Sequence, residues 1–323
     1  MPKRYGFVRL CRKCRGVTFV TAASATFDGM PESLTSVSLG TVELACLTSP
    51  SIDDHKRPLV VCVHGFPDSA HSWRHLMPVL DDAGFRVVAP FLRGYAPSGL
   101  ATNGAYQTGA SSNDMNALHE HFGGDQRAVI IGHDWGAPIT YGAASSARDR
   151  WSRVVAMAVP PGASLGLAFV TNTEQLKKSW YMFFFQHGLA DMVVPADDFA
   201  FIDMIWRDWS PGYDAAADLP AIKDAMREPE HLAAALGYYR AALGDGYRDP
   251  ALDDIQAATQ AVPMQPTLYL HGANDGCIGA EVAESARSMV DDHVKIEIIR
   301  DAGHFLHLET PDTINQRILE FLS

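Results

Sequence analysis

Short apolar runs that alternate with helix-like stretches constrain the fold of this chain most strongly. Six runs rich in β-branched residues are predicted to be strands, at residues 59–63, 86–89, 128–131, 154–159, 267–270 and 294–299. Helix patterns lie between or after them, at residues 72–83, 112–122, 136–148, 280–290 and 311–322. Because strands that alternate with helices pair in parallel through crossover connections, we expect an α/β fold with a mostly parallel central sheet and helices on both faces.

The alternation stops in one long segment. Residues 163–262 carry helix patterns near 174–186, 197–208, 218–227 and 230–243 and no strand pattern. We therefore predict a helical cap (lid) at 163–262, inserted into a core formed by residues 33–162 and 263–323. Residues 37–47 alternate around Gly40 and predict an antiparallel hairpin at the start of the core.

Residues 1–32 are predicted to be a disordered N-terminal extension. They are basic and then mildly apolar, and Ala23-Ser24-Ala25 is similar to a signal-peptide cleavage site, so export is an alternative to a cytoplasmic location. Met30 is an alternative start. The Cys11-x-x-Cys14 pair lacks the second Cys pair or nearby His of a zinc site, and two exposed thiols are the simpler interpretation.

Composition excludes several classes of protein. The 323 residues are 47% hydrophobic and 20% charged, which is ordinary for a folded globular chain. A formal net charge of −12 disfavours nucleic-acid partners and anionic lipid surfaces. Since the longest apolar stretch is shorter than the roughly 20 residues that a bilayer requires, we expect no membrane span. The five cysteines show no disulfide spacing, which favours a reducing compartment, the cytoplasm.

The most specific local motif is Gly-His-Asp-Trp-Gly at residues 132–136, placed directly between a predicted strand and a predicted helix. Glycines two residues either side of a nucleophile permit the tight strand-to-helix turn of a nucleophile elbow. Its central residue is Asp134. We therefore predict a carboxylate nucleophile that attacks an electrophilic carbon and forms an alkyl ester. Taken alone, the motif also fits an Asp that caps the following helix.

Two later residues complete a triad in the order nucleophile, acid, histidine. Asp275 and His304 each follow a predicted strand, at the sheet edge where open α/β sheets bind ligands. Asp275 would orient His304, which would activate water as a general base. The backbone N–H groups of Phe66 and Trp135 are the predicted oxyanion hole.

These residues together resemble the α/β-hydrolase superfamily and, more narrowly, its epoxide hydrolases. The resemblance runs from about residue 33 to the end and rests on His64-Gly-Phe-Pro67, Arg93-Gly-Tyr-Ala-Pro-Ser98, the 132–136 motif, the Asp275 loop and Gly303-His304. It implies an α/β-hydrolase fold with a helical cap, two tyrosines of which hold and protonate the epoxide oxygen. Tyr181 and Tyr239 are similar in position to that pair, although adjacent Tyr238 leaves the second assignment open. For either tyrosine alone, aromatic core of the cap is the alternative.

The implied reaction converts a small-molecule epoxide and water to a vicinal diol through an ester on Asp134, with no metal or organic cofactor. Trp135, Phe66, Trp180 and Phe184 are the expected substrate-binding residues. His71 and His75 are spaced i, i+4 but lack a third ligand, so we predict no metal site there.

Two other functions remain open from sequence. A haloalkane or haloacid dehalogenase would use the same Asp-His-Asp triad, but Phe66 supplies no side-chain halide donor. A non-catalytic ligand-binding relative would not need the triad to be complete. The sequence does not fix the oligomeric state, and a homodimer is one option.

Overall fold

A computed structural model describes residues 26–27, 30–31 and 33–323 of the chain. The Cys11/Cys14 pair, the Ala23-Ser24-Ala25 segment and most of the predicted N-terminal extension lie outside the described residues. Within the described part, Thr26–Phe27 and Met30–Pro31 form a separate antiparallel pair of two-residue strands. No described helix is long and apolar enough to cross a membrane.

Eight strands form one central sheet. They are β1 (Ser33–Ser38), β2 (Glu43–Thr48), β3 (Leu59–Val63), β4 (Arg86–Pro90), β5 (Ala128–His133), β6 (Trp151–Met157), β7 (Thr267–Gly272) and β8 (Val294–Ile299). The spatial order is β8-β7-β6-β5-β3-β4-β2-β1. The pairings from β8 to β4 are parallel. β2 pairs antiparallel with both β4 and β1, so among these eight strands β2 alone runs against the others, and the β1–β2 pair is the hairpin that the pattern predicts.

Helices cover both faces of this sheet. Along β3, Val61 and Val63 pack into a core cluster with helices on one face, whereas Val60 and Cys62 pack with helices on the other. A strand buried on both faces needs apolar side chains at every position, which explains the continuous Leu-Val-Val-Cys-Val run. The predicted α/β-hydrolase fold class is confirmed.

The described helices are α1 (Leu76–Asp82), α2 (Thr108–His121), α3 (Gly136–Ser146), α4 (Ser164–Thr171), α5 (Thr173–Lys178), α6 (Trp180–Phe184), α7 (Ala190–Val193), α8 (Ala196–Trp209), α9 (Leu219–Ala225), α10 (Pro229–Leu243), α11 (Asp253–Ala258), α12 (Ala280–Ala286), α13 (Leu306–Glu309) and α14 (Pro311–Leu322). Short 3₁₀ turns occupy Ala70–His75, Ala215–Ala217 and Pro250–Leu252. The helix expected at 72–83 therefore begins as a 3₁₀ turn.

The helix expected at 174–186 is also interrupted, because Ser179 leaves helical geometry between α5 and α6, at φ −88° and ψ 11°. Hydrogen bonds of the Gln175 side chain stabilise the chain at this break. The buried Gln175 amide donates to Ser179 Oγ at 2.9 Å and to the Cys277 carbonyl at 3.0 Å, and it accepts from Gly279 N at 2.9 Å. The cap is thereby attached to the loop that follows β7.

The segment between β6 and β7 contains helices and turns throughout, in agreement with the helix patterns of the predicted cap. Its contacts fix it over the carboxyl ends of the strands. Trp206 stacks on Phe305 with ring centroids 3.5 Å apart and donates its indole N–H to the Pro67 carbonyl at 2.9 Å. Both partners belong to loops that follow core strands, so cap and core meet at the sheet edge that carries the motifs.

Candidate active site

The turn at Asp134 has the geometry that its flanking glycines predict. Asp134 lies between β5 and α3 with φ 52°, in the left-handed region that few non-glycine residues adopt. A Cβ on Gly132 would overlap the backbone of Gly136, and a Cβ on Gly136 would overlap the carbonyl of Val63. Both glycines are therefore required by close backbone approach, and the turn presents Asp134 above the sheet.

The two oxygens of the Asp134 carboxylate have different neighbours. Oδ1 accepts a hydrogen bond from the backbone N–H of Phe66 at 2.7 Å. Oδ2 lies 3.4 Å from Nε2 of His304. Among the described residues, Trp135 N makes no such bond to this carboxylate. One predicted oxyanion donor is thus already directed at the nucleophile, and the role of the other stays a prediction.

His304 and Asp275 form a buried pair next to Asp134, the candidate nucleophile. Nδ1 of His304 lies 2.9 Å from Oδ2 of Asp275, and neither side chain has solvent exposure. The other oxygen of Asp275 accepts from the backbone N–H groups of Cys277 and Ile278, at 2.7 and 2.9 Å. These donors fix the carboxylate, and the ionised Asp275 fixes the imidazole with Nδ1–H as donor and Nε2 facing Asp134.

Burial and charge oppose each other in this pair. Burial alone would lower the pKa of His304, but the Asp275 charge, with contributions from Cys277 and Asp134, holds that pKa well above its usual value. Burial would raise the pKa of Asp275, yet the charge and hydrogen bond of His304 bring it below the usual value. In the resting protein His304 is therefore an imidazolium, and it lies between the carboxylates of Asp275 and Asp134.

The cap holds the His304 loop in place. The backbone N–H of His304 donates to the Trp209 carbonyl at 3.0 Å, and that of Phe305 donates to Ser210 Oγ at 3.0 Å. The Trp209 ring packs 4.9 Å from the His304 ring and 4.8 Å from the Tyr181 ring, measured between centroids. Trp209, a cap residue, therefore contacts both the candidate base His304 and the candidate proton donor Tyr181.

Asp134, Tyr181 and Tyr239 line one cavity between core and cap, whose walls include apolar Pro138, Leu165 and Met182. The two phenol rings meet edge to face with centroids 5.6 Å apart. Burial raises the pKa of each phenol well above its usual value, and the Asp134 charge adds to this. Both tyrosines therefore keep their protons at neutral pH.

The two candidate phenols have different partners. Tyr181 Oη lies 3.2 Å from Sγ of Cys277, whereas Oη of Tyr239 is buried without a hydrogen bond of standard geometry. Tyr238 does not line the cavity, because its hydroxyl donates to the Arg93 carbonyl at 3.0 Å and lies 3.1 Å from Ser111 Oγ. Of the adjacent pair, Tyr239 is the residue at the cavity.

The other expected substrate-binding residues lie at different distances from this cavity. Trp135 lines it. Phe66 is buried beside it, with its ring 5.2 Å from that of Tyr239. Trp180 and Phe184 are not among its lining residues, and Trp180 is 45% exposed on the cap surface. The structure does not bring these last two to the nucleophile.

Two groups of described residues offer three candidate metal-ligand atoms within 4.8 Å of one another: Asp68, His133 and His307, and Asp134, Cys277 and His304. Sequence reasoning did not identify either group, nor Trp209. Cys277 stands two residues after Asp275 in the same turn, so its spacing was a usable signal. Trp209 had none, because its link to His304 depends entirely on how the cap docks.

Comparisons with known proteins identify the family of this chain. The family model described as alpha/beta hydrolase fold matches residues 58–311. The chain is 30% identical over 302 residues to epoxide hydrolase A of Mycobacterium tuberculosis, with 82% of this chain and 90% of the relative covered. It is 28% identical over 273 residues to the AB hydrolase superfamily protein YfhM of Bacillus subtilis, with the same coverage.

A solved structure is similar over almost its whole length. The crystal structure of epoxide hydrolase A from Mycobacterium thermoresistibile superposes with a TM-score of 0.70 at 25% identity, covering 90% of this chain and 98% of that one. The chain therefore belongs to the α/β-hydrolase fold family, in the group that contains the epoxide hydrolases. It is accordingly a hydrolase.

Proposed function

We propose that this protein is an epoxide hydrolase that converts an epoxide to a vicinal diol through a covalent ester on Asp134. The observation that carries the proposal is the shared cavity, in which one carboxylate and two protonated phenols, Tyr181 and Tyr239, face the same space. Opening an epoxide combines a nucleophile that attacks carbon with an acid that protonates oxygen. The names of the similar proteins support the same substrate class.

In the first step, Oδ2 of Asp134 attacks a ring carbon while Tyr181 and Tyr239 donate to the epoxide oxygen. The ring C–O bond breaks, a C–O ester bond forms, and one phenol transfers its proton to the released oxygen. A hydroxyalkyl ester on Asp134 and one phenolate remain. The hydrogen bond from Phe66 N–H to Oδ1 supports this choice of oxygen, because that bond keeps Oδ1 at the proposed oxyanion donor, whereas Oδ2 forms the looser 3.4 Å ion pair with His304.

In the second step, His304 removes a proton from water, and the hydroxide attacks the ester carbonyl of Asp134. Ester formation itself prepares His304 for this role. Asp134 loses its negative charge as an ester, so one of the carboxylates that raise the pKa of His304 no longer does so. The imidazolium can then give up its Nε2 proton, which restores the phenol, and act as a base while Asp275 continues to orient it. The developing oxyanion lies on Phe66 N–H, and we assign Trp135 N–H as the second donor. When the oxyanion collapses, the bond between the carbonyl carbon and the alkylated oxygen breaks, the diol leaves with the proton of the new carboxyl group, and Asp134 is again a carboxylate beside protonated His304.

A dehalogenase with the same triad is the second candidate, favoured by one observation. The indole Nε1 of Trp135 is buried in the cavity wall without a hydrogen bond of standard geometry. A halide would accept from such a donor, but Phe66 offers no second one. The phenol pair favours the epoxide.

Product analysis separates these two functions. We expect incubation with styrene oxide to release the vicinal diol, and incubation with a 1-haloalkane to release no halide above the enzyme-free control. Halide without diol would overturn the proposal in favour of a dehalogenase. Neither product across a broad panel of epoxides and haloalkanes would favour a non-catalytic ligand-binding protein.

Removal of the phenol hydroxyls tests the proposed acids. We expect Tyr181→Phe and Tyr239→Phe each to lower kcat for styrene oxide about 10-fold to 100-fold, and the double variant to lower it about 10³-fold or more, because each loss removes general-acid assistance. Tyr238→Phe is the matched control, since it removes an adjacent hydroxyl outside the cavity. A double variant with near-normal kcat, or a Tyr238→Phe loss as large as that of Tyr239→Phe, would contradict the assignment.

A further inference from the structure

We propose that Asp134, Cys277 and His304 together form a binding site for a borderline or soft divalent cation such as Zn²⁺, and that a cation bound there blocks the enzyme. This cation is a ligand other than the substrate. Cation binding can be measured directly, so it does not depend on the proposed epoxide reaction, whereas the blocking effect does rest on it.

The three side chains offer a carboxylate oxygen, a thiol sulfur and an imidazole nitrogen, all buried and within 4.8 Å of one another. The distance from Oδ2 of Asp134 to Nε2 of His304 is 3.4 Å. Two ligands about 2.0–2.1 Å from a tetrahedral Zn²⁺ lie about 3.4 Å apart, so this edge already has the required length. The sulfur of Cys277 lies within 4.8 Å of both of these atoms, so its approach completes a three-ligand set.

An independent observation also points to a ligand at this place. Nε2 of His304 is fully buried and makes no hydrogen bond of standard geometry, although its ring is held tightly through Nδ1. Buried polar atoms without partners are unusual and call for an explanation. Here the nitrogen faces Oδ2 of Asp134 at 3.4 Å, as an ion pair without hydrogen-bond geometry, in the same group of atoms as Sγ of Cys277.

The surroundings of His304 are those of a zinc-binding histidine. Metal-ligating imidazoles usually donate their second N–H to a carboxylate, which fixes the tautomer and the ring orientation. Asp275 accepts from Nδ1 at 2.9 Å and is itself fixed by the N–H groups of Cys277 and Ile278. The same loop therefore supplies the thiol and holds the carboxylate that orients the imidazole.

Binding of one Zn²⁺ displaces two protons from the site. The S–H bond of Cys277 and the Nε2–H bond of the resting His304 break, Zn–S and Zn–N bonds form, and both protons leave to solvent. Asp134 lines the cavity, so the ion enters there and water can take the fourth position. The cation then occupies both the nucleophile and the base. Mg²⁺ prefers oxygen ligands and gains nothing from the sulfur.

The test compares cation binding with and without the thiol. All variants carry Cys11→Ser and Cys14→Ser, so that this other thiol pair does not contribute. In that full-length background we expect calorimetric titration with ZnCl₂ to show one site. We expect Cys277→Ser to weaken its Kd by a factor on the order of 10 to 100, at least the loss that follows removal of a group that hydrogen-bonds a metal ligand. Cys46→Ala is the control, because it removes a buried thiol outside the cluster.

Two further readouts distinguish a metal site from an indirect effect. Co²⁺ should give a thiolate-to-metal charge-transfer band in the near ultraviolet that disappears in Cys277→Ser and persists in Cys46→Ala. Zn²⁺ should inhibit diol formation with an inhibition constant equal to the Kd from the titration, and MgCl₂ should not inhibit it. The rate of each variant is normalised to its own metal-free rate. Absence of stoichiometric Zn²⁺ binding, or equal Zn²⁺ affinity with and without the Cys277 thiol, would overturn the proposal.

Discussion

The His304→Gln variant is expected to consume about one equivalent of epoxide and then stop. Glutamine fills the space of the imidazole but cannot accept a proton from water, so ester formation proceeds while ester hydrolysis is lost. We expect steady-state diol formation to fall about 10⁴-fold or more, the scale seen when a triad base is removed. Intact-protein mass spectrometry should show the added mass of one substrate molecule, and peptide mapping should place it on Asp134.

A matched histidine outside the site controls for this variant. His293 is partly buried, precedes β8 at the end of that strand opposite to the His304 loop, and its Nε2 contacts the Pro263 carbonyl at 2.8 Å. His293→Gln should keep normal turnover and show no adduct. Turnover close to normal in His304→Gln would show that the assigned base is wrong. A slow His304→Gln variant without any adduct would instead mean that His304 acts in the first step.

The triad was predictable because each member stands in a short motif directly after a strand. Asp134 follows β5, Asp275 follows β7 and His304 follows β8, and these strands are parallel, so their carboxyl ends lie at one edge of the sheet. β7 and β8 are neighbours, which brings Asp275 and His304 within hydrogen-bond distance. Sequence order and strand direction together contain this information.

The cap side of the site was less predictable, because helix phase decides which residues face the cavity. Adjacent helical residues point about 100° apart. The sequence alone therefore does not show whether Tyr238 or its neighbour Tyr239 faces the cavity. In the structure Tyr239 lines it and Tyr238 does not. The same phase directs Tyr181 inward and leaves neighbouring Trp180 45% exposed. Aromatic composition alone predicts that the cap has a pocket, but not which rings form it.

The contacts of the Cys277 thiol were predictable neither from a local motif nor from helix phase. Its distance in sequence from Asp275 was visible, but its contact with Tyr181 joins residues 96 positions apart and depends on the break in the cap at Ser179. The buried Gln175 amide holds the Cys277 carbonyl from the cap side. Such contacts arise from the docking of two substructures, and no local pattern records them.

Asp134→Ala is expected to abolish both partial reactions, with turnover reduced about 10⁴-fold or more and no covalent adduct at any time. Without the carboxylate no atom of this site can form the ester, although the cavity and both phenols remain. The decisive measurement is the Asp134→Ala/His304→Gln double variant, incubated with epoxide beside His304→Gln alone. If the adduct in the single variant is the Asp134 ester, the double variant must lack it. Added mass in the double variant would show that another residue is alkylated and that the elbow aspartate is not the nucleophile.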